Sequence, residues 1–105
     1  MIQYEIILVN LDPSIGSEMR KTRPAVVISP NEINRPLNTL VIAPITNSTK
    51  LYPTRLEIKN DNAIGWIALD QIRTIDKQRV VRKLGQLEKV DIIKLKKILK
   101  ETFVD

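Results

Sequence analysis

Apolar residues fall along most of this chain in short runs separated by turn-forming residues, and the period changes only towards the C-terminus. Tyr4–Leu11 (YEIILVNL) is rich in Ile, Leu and Val and too short for a stable lone helix. It predicts a strand buried on much of both faces. Asp12-Pro13-Ser14-Ile15-Gly16 ends it with turn chemistry. A residue before proline is pushed out of the helical region. Pro24 therefore reopens an extended segment with Arg23 at its lip, and Ala25–Ser29 (AVVIS) is the second strand. Pro30–Asn38, with two prolines and three asparagines, predicts a loop. Thr39–Thr46 (TLVIAPIT) is a third strand, in which Pro44 implies an edge or a bulge because proline donates no ladder hydrogen bond.

Arg55–Ile58 alternates polar and apolar residues, as a half-exposed strand does. Gly65–Leu69 (GWIAL) is another strand, and Asp70–Asp76 alternates again and continues or follows it. From Val80 the pattern changes. Leu84–Leu87 reads as a short connection, and Glu88–Val104 has helical spacing. Ile92, Leu95, Leu99 and Phe103 recur at intervals of three and four, with Ile98 widening the stripe. Glu88 near the start and Lys100 near the end suit the helix dipole. Several short strands before one amphipathic helix predict a mainly β fold with a C-terminal α-helix. The economical form is a small, partly closed β-barrel packed against that helix. The 105 residues suit a single domain spanning 1–105.

Composition narrows the chemistry. Cysteine and histidine are both absent. That excludes thiolate catalysis, disulfides, most zinc sites and the usual base near neutral pH. With three glycines and no phosphate-binding glycine loop, a nucleotide cofactor is not expected. No run approaches the ~20 apolar residues of a membrane span, and the first residues lack signal-peptide character, so a cytoplasmic protein is expected. The net charge of +5 is unevenly spread. Residues 1–19 carry three carboxylates and no cation, whereas 20–55 carry six cations against Glu32 alone. Residues 76–105 hold nine cations and five anions. A basic balance of this kind suits nucleic acid or an acidic polypeptide, or is a solvated basic surface.

The densest chemistry lies in Gly16–Pro24 (GSEMRKTRP). Arg23 has a planar fork that matches two phosphate oxygens at once; the alternative is a surface salt bridge. Glu18 is the nearest carboxylate to it in sequence, and is either a proton acceptor or a solvated partner of Arg20, Lys21 or Arg23. Thr46, beside Asn47 and Ser48, offers a hydroxyl to a phosphate oxygen or forms a turn. Asp70-Gln71 pairs an acceptor with a two-sided amide that can read base edges or brace a turn. Among the few aromatics, Trp66 reads as core, and Tyr52, in a loop, is able to stack on a base.

Leu11-Asp12-Pro13, Gly16-Ser17-Glu18 and Thr22-Arg23-Pro24-Ala25-Val26-Val27-Ile28 resemble the N-terminal signature of the MazF/PemK family of toxin endoribonucleases. The resemblance continues through Ile42–Thr46, Asp70–Asp76 and Gly85-Gln86-Leu87, and so covers nearly the whole chain in order. It implies a homodimeric toxin of a type II toxin–antitoxin system with a small SH3-like β-barrel of the MazF/PemK/CcdB type. Such toxins cleave single-stranded RNA within a short recognition sequence without a metal, and an acidic antitoxin blocks their RNA groove. By position, Arg23 and Thr46 match the family's catalytic arginine and threonine, and Glu18 a loop glutamate often placed at the active site. Ser17, Arg20, Lys21, Asn47, Asp70 and Gln71 are the expected RNA-binding residues. Tyr4 departs from the pattern by standing where the family usually has glycine. Met19-Arg20-Lys21 replaces a more glycine-rich loop, and Ser17 and Ala68 stand where some members use histidine and arginine.

The expected reaction is attack of a 2′-hydroxyl on the adjacent phosphorus, giving a 2′,3′-cyclic phosphate and a 5′-hydroxyl. Two other expectations compete with it: a gyrase-binding toxin of related fold that cleaves nothing, and an RNA-binding module without catalysis.

Overall fold

A computed structural model describes residues 1–11, 22–47, 52–59, 61 and 63–104. Seven strands run β1 (Glu5–Asn10), β2 (Thr22–Val27), β3 (Thr39–Thr46), β4 (Arg55–Lys59), β5 (Ile64–Ala68), β6 (Arg73–Asp76) and β7 (Val80–Gln86). Two helices join them, the four-residue α1 (Asn31–Asn34) and the C-terminal α2 (Lys89–Phe103). All strand pairs are antiparallel, in the order β4-β5-β3-β2-β1-β7, with β6 also paired to β3. The mainly β architecture with one C-terminal helix is the expected one. The barrel is open, because β4 and β7 end the strand order and do not pair.

Both faces of the sheet are covered, which explains why Ile6 and Ile7, neighbours that point to opposite faces, are both 0% exposed. One core gathers Ile6, Val26, Ala43, Ile45, Leu56, Ile67 and Leu69 beneath Leu95 of α2. The other gathers Ile7, Val9, Ala25, Val27, Leu40, Ile42 and Ile75. Ile92, Ile98 and Leu99 pack partly buried against the first core. Phe103, expected in that stripe, is 60% exposed. Apolar burial along the helix stops at Leu99.

Three other expectations are corrected. Val80–Gln86 is a strand, where the sequence suggested a change of pattern and a connection. Its pairing with β1 shifts register twice, between Ile6 and Ile7 and between Leu8 and Val9. Bulges of this kind break the period-2 signal. The loop at Pro30–Asn38 contains α1, whose Asn34 is 2% exposed and donates from Nδ2 to the Ser29 carbonyl at 2.8 Å. Lastly, Pro44 lies in an interior strand. Val41 directs its carbonyl towards β2, to the Ile28 N–H at 2.8 Å. Backbone groups alternate sides along a strand, so Pro44 turns its nitrogen to the opposite edge. On that edge β6 covers Thr39–Ile42 and β5 covers Ile45–Thr46. Pro44 falls between them, where no rung of the ladder needs its missing N–H.

The chain enters β1 through Tyr4, which has φ 66°. Its N–H donates to the Val27 carbonyl at 2.7 Å, and its carbonyl accepts from the Leu87 N–H at 3.0 Å. The left-handed conformation thus ties β2 to the segment leading into α2. Glycine is the residue that adopts such a φ without steric cost; here a tyrosine does so, held by these two bonds.

Candidate active site

The site forms where β2 and β3 part. Their register pairs Val27 with Ile42, Val26 with Ala43 and Ala25 with Pro44, and there the ladder ends. Continued by two residues, the same register sets Arg23 opposite Thr46. The next rung would need the Pro24 N–H: Val27 turns its carbonyl to Tyr4 on the β1 side, so Val26 and Pro24 face β3. Pro24 has no N–H to give. The strand ends enclose a cavity of about 320 Å³ lined by Thr22, Arg23, Pro24, Ile45, Thr46 and Asn47.

Each functional side chain here is held by the sheet. Arg23 is exposed, but its backbone pairs with fully buried Val9 of β1. Thr46 is half-buried and pairs with Trp66 of β5. β5 comes this close because of Gly65, which has φ +152°. A Cβ there would stand 2.8 Å from the Thr46 carbonyl oxygen and 2.9 Å from the Ile45 Cγ2. Only glycine permits both that conformation and that approach. Residues that carry a cation, a hydroxyl and an amide therefore line one polar cavity, a set suited to a phosphate group.

Of the residues singled out in the sequence, the fold brings together Arg23, Thr46 and Asn47. Ser17, Glu18, Arg20 and Lys21 lie outside the described residues. Asp70 and Gln71 occupy a 3-10 turn (Leu69–Gln71) after β5 and do not line the cavity. Asp70 is engaged elsewhere. Arg55 Nε donates to its Oδ1 at 2.8 Å, an Arg55 terminal nitrogen to its Oδ2 at 3.2 Å, and Thr54 Oγ1 to its Oδ1 at 3.0 Å. These hydrogen bonds, the Arg55 one foremost, hold the Asp70 carboxyl below its ordinary value, and the same bond raises Arg55. The Arg55 guanidinium in turn lies 5.2 Å from the Tyr52 ring centre. Among the described residues, no group of three acidic side chains is placed to hold a metal ion. Sequence reasoning missed Thr22 and Gly65. A glycine directly before the tryptophan of a strand was the available sign of a close backbone approach.

An open antiparallel sheet covered by one C-terminal helix is a fold shared with solved toxins. It superposes on MazE-MazF from Deinococcus radiodurans with a TM-score of 0.83 at 21% identity, covering 97% of this chain and 94% of that one. It also superposes on an endoribonuclease in complex with its cognate antitoxin from a mycobacterial species, with a TM-score of 0.82 at 19% identity over 96% and 92% of the two chains. The chain belongs to the family of PemK-like, MazF-like toxins of type II toxin–antitoxin systems, whose model matches residues 2–103. It is 35% identical over 98 residues to the endoribonuclease MazF of Staphylococcus epidermidis, covering 87% of this chain and 81% of that protein. It is 33% identical over 95 residues to the endoribonuclease toxin MazF of Escherichia coli strain K12, covering 88% and 86%.

Proposed function

We propose that this chain is the toxin of a type II toxin–antitoxin system and a metal-independent, sequence-specific endoribonuclease acting on single-stranded RNA. The observation that carries the reading is the cavity lined by both Arg23 and Thr46 at the parted ends of β2 and β3. Membership of the toxin family and the endoribonuclease relatives support it.

In this reaction the 2′-oxygen of one ribose bonds to the adjacent phosphorus while the bond from phosphorus to the 5′-oxygen breaks. The products are a 2′,3′-cyclic phosphate and a 5′-hydroxyl. Negative charge gathers on the non-bridging oxygens in the transition state. Arg23 and Thr46 donate to those oxygens, and one such oriented donor contributes ~2.7–4 kcal/mol. Asn47 holds a neighbouring oxygen. Arg23 stays protonated and serves as an electrostatic clamp. The 2′-proton passes to a carboxylate, for which Glu18 is the candidate, directly or through water, and the departing 5′-oxygen takes its proton from solvent. Ser17, Arg20 and Lys21 attract the RNA backbone, and Asp70-Gln71, in the turn after β5, is the candidate for contacts to bases beyond the cavity. A cognate acidic antitoxin, a second copy of the chain and the cytoplasm complete the setting. No helix of the described residues is long and apolar enough to cross a membrane.

The test is incubation of the purified protein with a long RNA in EDTA. Fragments carrying 5′-hydroxyl and cyclic phosphate ends are expected, and none when the 2′-hydroxyl at the cleavage position is replaced by hydrogen. An intact RNA at every protein concentration, with binding retained, would instead identify an RNA-binding module. Loss of both binding and cleavage would favour a toxin with a different target.

A further inference from the structure

Trp66 does not join either core. Along β5 the side chains alternate, and Ile67 packs into the first core with its cross-strand partner Leu56. Trp66 therefore points to the opposite face. It is half-buried, and belongs to neither the buried residues of the second core nor the partly buried apolar residues packed against it. This corrects the expectation that the tryptophan is core.

The register shows what it stands beside. Trp66 is directly across from Thr46 on one side and from Glu57 on the other. Residues directly opposite in an antiparallel pair share a face, with Cβ atoms about 4.5–5.5 Å apart. Thr46, Trp66 and Glu57 thus form one row across the sheet, a hydroxyl, an indole and a carboxylate, and Arg23 stands across the cavity from Thr46 at the parted end of β2. Glu57 is turned towards Lys59, 3.7 Å away.

We infer that Trp66, one strand beyond the cavity and not part of its lining, is a nucleobase-stacking residue, holding the base of a nucleotide adjacent to the phosphate bound by Arg23 and Thr46. The inference rests on the RNA-cleaving reading above and names a contact that reading lacks. In a nucleotide the base lies one sugar away from the phosphate, and Trp66 lies one strand away from Thr46, ~4.8 Å. An indole fixed in the sheet loses little freedom on stacking and accepts any base, since every base presents a π-face. Sequence preference then comes from the groups around it, and Trp66 supplies affinity and orients the scissile linkage.

The test uses the fact that Trp66 is the chain's single tryptophan, so emission excited at the red edge of the indole band, where Tyr4 and Tyr52 do not absorb, reports on this residue alone. The protein is titrated with a 20-residue 2′-O-methyl RNA containing all four bases, which it cannot cleave, and in parallel with inorganic polyphosphate. Emission should be quenched by the oligonucleotide and unchanged by polyphosphate, which offers phosphates without bases. Trp66→Leu should raise KM for RNA by ~10- to 100-fold, and Trp66→Phe should restore most of the loss. Melting curves of both variants check that they fold. If the oligonucleotide binds by anisotropy without altering emission, and Trp66→Leu cleaves with the wild-type KM, stacking is wrong while the nuclease reading stands. Emission that changes on dilution of the protein but not on adding RNA places Trp66 in a contact between copies and overturns the inference. A wild-type protein that neither binds nor cuts RNA overturns both.

Discussion

The carbonyl oxygen of Thr46 lies 2.8 Å from the point where a Cβ on Gly65 would stand. That point faces backbone, which cannot swing aside as a long side chain does. Gly65→Ala should therefore displace the end of β3 by several tenths of an ångström and carry the Thr46 hydroxyl with it. Small misplacements of a catalytic group are costly, and kcat should fall on the order of ten- to a hundredfold. KM should change less, because Arg23 is positioned by β1. Single-turnover cleavage by the variant, compared with its urea midpoint, checks this. A wild-type kcat would show that β5 does not set the position of Thr46.

Thr46→Val keeps the shape and removes the donor. Its kcat should drop by about two orders of magnitude. Arg23→Lys keeps the charge and loses the two-pronged geometry, so it should bind RNA nearly as well and cut it slowly. Steady-state kinetics on one short substrate separate the two effects. Equal losses of kcat for Arg23→Lys and Arg23→Ala would mean that charge alone contributes nothing.

Tyr4 reverses an ordinary rule. Glycine in place of alanine usually destabilises a strand, but Tyr4 sits at φ 66°. An L-residue in that region costs about 1–2 kcal/mol. Both Tyr4→Gly and Tyr4→Ala lose the ring, including its contact with Lys96 at 5.9 Å. Tyr4→Gly should nonetheless be the more stable of the two by about 1 kcal/mol. Denaturant midpoints of the pair decide it, and the opposite order would mean that the left-handed conformation relaxes away.

The Arg55–Asp70 pair should leave a signature at acid pH. Hydrogen bonds from Arg55 lower the Asp70 pKa in the folded state. A carboxylate depressed in this way adds stability above its unfolded pKa of about 3.9. That stability is lost as pH falls through the lower, folded value. Asp70→Asn should thus be less stable than wild type at pH 7, with the gap nearly constant down to about pH 5 and closing below about pH 4. Arg55 has only 7% of its side chain exposed, so the loss at neutral pH reflects a buried guanidinium left with a weaker acceptor. Urea titrations across this range test it, and a gap that widened towards acid would contradict the assignment.

What could be read from the chain alone was local. Apolar runs between turn residues marked β1, β3 and β5, and a sustained 3.6-residue period marked α2. The proline after Arg23 placed that side chain at a strand end without any knowledge of its neighbours. What could not be read was register. Trp66 looks like core in sequence because its neighbours in GWIAL are apolar; the Thr46–Trp66 and Leu56–Ile67 pairs turn it to the other face. β7 was hidden by its two shifts of register against β1, and Pro44 by a strand edge that changes partner at that residue. Asp70-Gln71 sits near the expected end of β5, but the grip of Arg55 on Asp70 depends on a pairing between β4 and β5 that no local pattern encodes.

The divided edge of β3 also bears on when this protein becomes dangerous. β3 emerges from a ribosome well before Trp66 and Arg73, the residues that begin to complete its second edge. Thr46 therefore has no fixed position on a nascent chain until β5 has followed it out. A message should therefore survive at least until the chain that it encodes has been extended past β5. Cell-free translation of messages truncated before Gly65 should release chains that leave their template intact, at concentrations where the full chain destroys it. Cutting by such a fragment would show that the parted ends of β2 and β3 suffice.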